Sequence, residues 1–166
     1  MTNSSAISYN LRLGSEAKTA LLAQTFARHL QAEDVLLLSG GLAAGKTFFV
    51  RAAADALGSK DAVTSPTYTL VNLYRSPKGP IVHIDAYRLE NSAAFSALAL
   101  EDELESGIAF IEWGEMLADL FDHWVSLEMV PDSTDHSARE ARLKAFGARG
   151  KLLLEKVVAD FVEATA

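Results

Sequence analysis

At 166 residues and 17.9 kDa the chain suits one compact domain spanning 1–166, large enough to bury a sizeable core without a disulfide or structural metal. It has no cysteine, which removes disulfide frameworks, zinc ribbons, thiol catalysis and iron–sulfur clusters together. Fifteen Lys and Arg against 22 Asp and Glu give a net charge of −7, the wrong sign for a protein that grips nucleic acid by neutralising phosphates.

Ile7, Tyr9, Leu11 and Leu13 alternate with polar residues, which predicts a half-buried strand. Gly14-Ser15-Glu16 then opens a helix whose apolar positions Leu21, Leu22, Phe26 and Leu30 fall at helical spacing. Val35 to Leu38 is a short apolar run ended by Gly40-Gly41, as expected of a strand buried on both faces, and a helix from about Lys46 stops at Gly58. Alternation from Tyr68 to Tyr74 predicts a strand there. Pro77-Lys78-Gly79-Pro80 turns it into a second strand, Ile81 to Asp85. Leu89 to Glu105 reads as one or two helical pieces, Ile108 to Glu112 as a buried strand, Gly114 to Phe121 as a helical turn or two, and Val125 to Met129 as a strand. Pro131 to His136 is a loop, Leu143 and Ala145 continue a strand pattern, and Leu152 to Val162 carries an amphipathic helix. The expected fold class is α/β, a P-loop NTPase-like three-layer domain around a central mixed, largely parallel sheet. No basic leader precedes an apolar stretch and no window approaches 18 apolar residues, so a cytoplasmic protein without membrane contact is expected.

Charge is unevenly distributed. Asp85 to Asp122 holds ten acids against Arg88 alone, a local charge of −9, while Arg139 to Lys151 is locally basic. The acids around Glu101 to Glu105 fit either a solvated helix face or a surface for a basic partner.

The sharpest chemical signal is Gly40-Gly41-Leu42-Ala43-Ala44-Gly45-Lys46-Thr47, a full match to GxxxxGKT. Chance would place it in roughly one chain in a few hundred of this length. It also sits between an apolar run and an amphipathic helix, where backbone N–H groups and a helix N-terminus surround a phosphate. Lys46 would then reach the outer phosphates and Thr47 offer a hydroxyl to Mg2+, a hard ion that takes oxygen ligands. Carboxylates that serve such a loop stand at the ends of neighbouring strands, and two are available, Asp85 and Glu112. Trp113 fits stacking on a base or filling the core. His83 fits a packed strand residue better than a base. Thr64 to Thr69 is hydroxyl-rich and suits either a segment that orders around a γ-phosphate or a plain turn. There is no NKxD for guanine, and no Arg-dense lid follows the acids.

In the order and spacing of Ser39-Gly40 to Thr47, Ser65-Pro66-Thr67-Tyr68-Thr69-Leu70-Val71, His83-Ile84-Asp85-Ala86-Tyr87-Arg88-Leu89 and Ile111-Glu112-Trp113, the chain resembles the small bacterial ATPases of tRNA threonylcarbamoyladenosine biosynthesis, the TsaE family. The resemblance implies weak hydrolysis of ATP with Mg2+ in a complex with two partners, a threonylcarbamoyl-transferase subunit and its paralogue. These act on adenosine 37 of tRNA, which the ATPase meets only indirectly. It implies that Gly40, Gly41, Leu42, Ala43, Ala44, Gly45, Lys46, Thr47 and Phe48 hold the nucleotide with Trp113 and Arg139. Thr47 and Glu112 would hold the metal, and Asp85 with Lys46 would support hydrolysis. The chain departs from the family's usual GDLGAGKTT at Gly41, Ala43 and Phe48, and has Ala99-Leu100 where the family carries a Leu-Gly pair. A small-molecule or nucleoside kinase, and a module that uses ATP only as a conformational switch, are the alternatives.

Overall fold

The computed structural model describes residues 6–41 and 44–166. Seven strands form one sheet: β1 (Ile7–Leu13), β2 (Val35–Ser39), β3 (Val71–Tyr74), β4 (Ile81–Asp85), β5 (Ile108–Glu112), β6 (Trp124–Pro131) and β7 (Arg139–Phe146). Among the described residues five helices accompany them: α1 (Glu16–His29), α2 (Lys46–Ala56), α3 (Ser92–Ser96), α4 (Glu101–Ser106) and α5 (Ala148–Thr165), with a 3-10 segment at Gly114–Leu120. The spatial order is β1-β7-β6-β2-β5-β4-β3. The four middle strands β6, β2, β5 and β4 run parallel to one another, and β3 on one side and β7 and β1 on the other are added by antiparallel pairing. The expected α/β class with a mixed sheet, parallel in its middle, is the one observed.

β2, β4 and β5 read as continuous apolar runs because both their faces are covered. Successive side chains point to opposite faces. Leu36, Leu38, Ile81, Ile108 and Phe110 therefore join the core under α1, α2 and α5, while Val35, Leu37, Val82, Ile84, Ala109 and Ile111 join a second core with Phe95 and Leu117. Phe26, Phe49 and Phe110 meet edge to face, at ring separations of 5.9 and 6.5 Å, and tie α1 and α2 to β5. The same alternation puts His83 and Asp85 of β4, and Glu112 of β5, on the α2 side of the sheet. The β7 end is covered on one face only. Ala141, Leu143 and Ala145 are buried there while Glu140, Arg142 and Lys144 are exposed.

One expectation needs correction. The strand read from Tyr68 begins only at Val71, because Leu70 adopts a left-handed φ of 65° and its N–H closes onto the Pro66 carbonyl, a turn that no strand can run through. In the locally basic run from Arg139, Arg142 pairs with Glu140 and Glu128, and Arg149 with buried Asp34. The segment after Leu89 forms two helical pieces, α3 and α4, divided at Ala99, whose φ of 54° is left-handed. Glu101, Asp102 and Glu105 lie exposed on α4. No helix among the described residues is long and apolar enough to cross a membrane.

Candidate functional site

The glycines of the loop are placed by need. Gly40 has φ 136°, and a Cβ there would lie 2.6 Å from the Met129 carbonyl oxygen on β6 and 2.8 Å from Ala44. Only glycine fits that approach. Gly45, at φ 105°, turns the chain into α2 as its N-cap. No side chain caps this helix end, whereas Ser15 and Asn91 cap α1 and α3. Its first N–H groups and the positive end of its dipole are therefore directed at whatever enters the loop. At Gly41 a Cβ meets nothing within 4 Å, so the residue that replaces the family's Asp is not sterically required. Leu42 and Ala43 lie outside the described residues.

Lys46 is largely buried and folds back over the loop. Its Nζ donates to the carbonyls of Gly40 (2.7 Å) and Gly41 (3.3 Å) and stands 4.5 Å from the centre of the Trp113 ring. Burial pulls the ammonium below its ordinary pKa, against the opposing pull of Glu112, Asp85 and Glu115.

Asp85 and Glu112 end neighbouring parallel strands in direct register. They are 6% and 5% exposed, a costly placement for two carboxylates unless a cation meets them. Asp85 Oδ1 accepts the Tyr87 N–H at 2.9 Å, and Thr47 Oγ1 stands 3.4 Å from Glu112 Oε2. A cavity of about 280 Å³ is lined by Ala44 to Phe48, Ser65, Thr67, Asp85, Glu112 and Trp113. A hydroxyl and two carboxylates beside a helix N-terminus are a hard-oxygen donor set, suited to a divalent ion that keeps most of its ligands from water and phosphate. Among the described residues no cluster of three or more His, Cys, Asp or Glu forms a self-sufficient metal cage.

The structure thus brings Lys46, Thr47, Phe48, Asp85, Glu112 and Trp113 to one cavity, with Ala44 and Gly45. Trp113 is half-buried at its mouth rather than in the core. It has a left-handed φ of 59°, leans 5.6 Å from the Tyr87 ring, and also borders a larger cavity of about 620 Å³ shared with Gly40 and Gly41. Arg139 reaches the loop from β7 by donating its Nε–H to the Ala44 carbonyl at 3.0 Å. Sequence reasoning read His83 as a packed strand residue, which it is, but missed its link to the acid of the next strand. It is fully buried, with Nε2 2.6 Å from Glu112 Oε2 and Nδ1 2.9 Å from the Tyr74 hydroxyl. The available signal was parity: two residues before Asp85 on β4, it shares the α2 face with both acids.

The family model for threonylcarbamoyl adenosine biosynthesis protein TsaE matches residues 13–141. A curated tRNA threonylcarbamoyladenosine biosynthesis protein TsaE from Bacillus subtilis (strain 168) is 30% identical over 141 residues, covering 84% of this chain and 87% of the relative. The protein of that name from Rickettsia prowazekii is 37% identical over 109 residues (65% and 76%), and that from Aquifex aeolicus 43% over 105 (62% and 74%). A crystal structure of YdiB from Bacillus subtilis superposes with a TM-score of 0.75 at 24% identity, covering 95% of this chain and 99% of that one, a likeness of fold. With the family's description matched over residues 13–141 and a loop, two strand-terminal acids and a tryptophan gathered at one cavity, the chain belongs to the TsaE family of tRNA threonylcarbamoyladenosine biosynthesis.

Proposed function

We propose that this protein binds ATP with Mg2+ and hydrolyses it slowly, as the accessory subunit of the machinery that makes threonylcarbamoyladenosine in tRNA. The observation that carries the reading is the meeting of Lys46, Thr47, Asp85 and Glu112 at the uncapped N-terminus of α2. The α2 amides and Lys46 bind the phosphates, for which Lys46 must leave the Gly40 and Gly41 carbonyls. Thr47 and Glu112 hold the metal, which when bound neutralises phosphate charge. Asp85, two strands from the loop strand, orients a water. Ser65 and Thr67 line the same cavity as Trp113, and Arg139 steadies the loop at Ala44. The partners are the threonylcarbamoyl-transferase subunit and its paralogue, and tRNA is met through them. A cytoplasmic site of action fits this role.

The test is ATP turnover by the purified chain, alone and with the partner subunits. Slow release of phosphate alone and faster release with partners is expected. Transfer of phosphate to a small hydroxylated acceptor, without partner stimulation, would replace this reading with a kinase.

A further inference from the structure

Glu112 does not stand alone, and what holds it leads away from the nucleotide cavity. His83 Nε2 lies 2.6 Å from Glu112 Oε2, and the carboxylate can only accept, so Nε2 carries the hydrogen. In the neutral ring Nδ1 is then the acceptor, and it faces the Tyr74 hydroxyl at 2.9 Å. The Tyr74 oxygen is within reach of both backbone groups of one residue, the Thr64 carbonyl (3.1 Å) and the Thr64 N–H (3.3 Å). A single phenolic hydrogen cannot serve both His83 and the Thr64 carbonyl. That carbonyl has a second donor in the Asn72 Nδ2 amide at 3.2 Å, whereas the buried Nδ1 finds its donor in the Tyr74 hydroxyl, the nearer of the two contacts, so the hydroxyl hydrogen is assigned to His83. The result is one directed chain: Thr64 N–H to Tyr74, Tyr74 O–H to His83, His83 N–H to Glu112. Its interior members are 4% and 0% exposed, so water does not compete for them.

Thr64 directly precedes the segment whose Ser65 and Thr67 line the cavity. We propose that His83 is the positioning residue of Glu112, and that through Tyr74 it couples the orientation of this carboxylate to the backbone of the 64–67 segment. A change at Glu112 is transmitted to the segment that brings Ser65 and Thr67 to the cavity through buried hydrogen bonds, without passing through the ligand. The consequence for metal rests on the ATPase reading above; the relay itself does not.

The first experiment therefore uses the full chain without nucleotide or metal. Amide exchange at Thr64 is measured in the wild type, Glu112→Gln, Tyr74→Phe and the double variant. Glu112→Gln should alter Thr64 exchange about threefold or more when Tyr74 is present, and should not alter it in the Tyr74→Phe background. Equal effects in both backgrounds, or none in either, overturn the coupling. A wild-type measurement guards against a variant that fails to fold: the imidazole nitrogen shifts of His83 should report a proton on Nε2 and a bare Nδ1, and a ring protonated on Nδ1 overturns the direction of the chain.

The second experiment titrates Mg2+ into the ADP complex by calorimetry. His83→Ala should weaken the metal about tenfold or more while ADP alone binds as before, and His83→Gln, whose amide N–H replaces Nε2–H, should restore most of the loss. Unchanged metal affinity in His83→Ala overturns the positioning role. A wild type that binds no ADP or Mg2+ at all defeats the ATPase reading, and the exchange measurements still decide the relay.

Discussion

At the amino end of β2, Asp34 is 1% exposed and fully engaged: Arg149 holds it with two hydrogen bonds, of 3.0 and 2.7 Å, the Gln31 N–H donates at 2.9 Å, and His123 Nε2 stands 3.3 Å away without hydrogen-bonding alignment. Arg149 is itself completed by the His29 carbonyl at 2.8 Å. Past the carboxyl end of the same strand, Asp85 and Glu112 are almost as deeply placed, yet face each other and meet a hydroxyl and a lysine turned toward carbonyls. Both ends carry the desolvation of buried charge. The first closes its charge internally and joins α1, β2 and α5. The second keeps acceptors in excess of donors, and that excess is what a cation and a polyphosphate would complete.

Removing one carboxylate from each end tests the contrast. Asp34→Ala strands Arg149 and should cost about 3 kcal/mol, a fall of roughly 6–12 °C in Tm for a chain of this size, read by thermal denaturation. Its stabilisation also has a pH signature. Burial pushes the Asp34 carboxyl up, but His123, Arg149 and the Gln31 N–H pull it down by more, so its folded pKa lies below the ordinary value. The contribution is complete above the unfolded value near ~4 and is lost as pH falls through the lower folded value. Urea midpoints from pH 7 to 3 should therefore fall less steeply in Asp34→Asn than in the wild type.

At the other end, Asp85→Ala should reduce ATP turnover about 100-fold or more while nucleotide still binds, and Lys46→Ala should abolish turnover. Loss of binding in Asp85→Ala, by calorimetry, would make that acid structural and erase the distinction between the two ends. Smaller again is the effect on stability: Asp85→Asn relieves one of two facing charges and should raise Tm where Asp34→Asn lowers it. The least effect lies outside both ends. Ala99 bears a left-handed φ of 54°, and Ala99→Gly should gain about 0.5–1 kcal/mol in urea denaturation, leaving both charged clusters untouched.

What could be seen in the sequence follows from which forces are local. The apolar runs of β2, β4 and β5, the acids that end β4 and β5, and the glycines at 40 and 45 are each written in a few consecutive residues, and each stands where expected. The beginning of β3 was illegible, because alternation through Tyr68 to Tyr74 says nothing of the backbone reversal at Leu70. His83 was underread for another reason: its partners Tyr74 and Glu112 come from two different strands, and register across a sheet is set by pairing that no single run displays. The Asp34 cluster was not foreseen at all, since its arginine lies on a helix 115 residues further along.

The edge strand β1 finds its hydrogen-bonding neighbour only in β7, Ile7 opposite Ala145 and Leu13 opposite Arg139. A ribosome adding about 5–20 residues per second leaves this first strand without a partner for on the order of ten seconds. The loop at Gly40 waits a shorter time, because Gly40 is shaped against the Met129 carbonyl of β6. The nascent chain thus carries the glycine-rich motif well before the strand that gives it its form, and the loop can take that form only once β6 has been made.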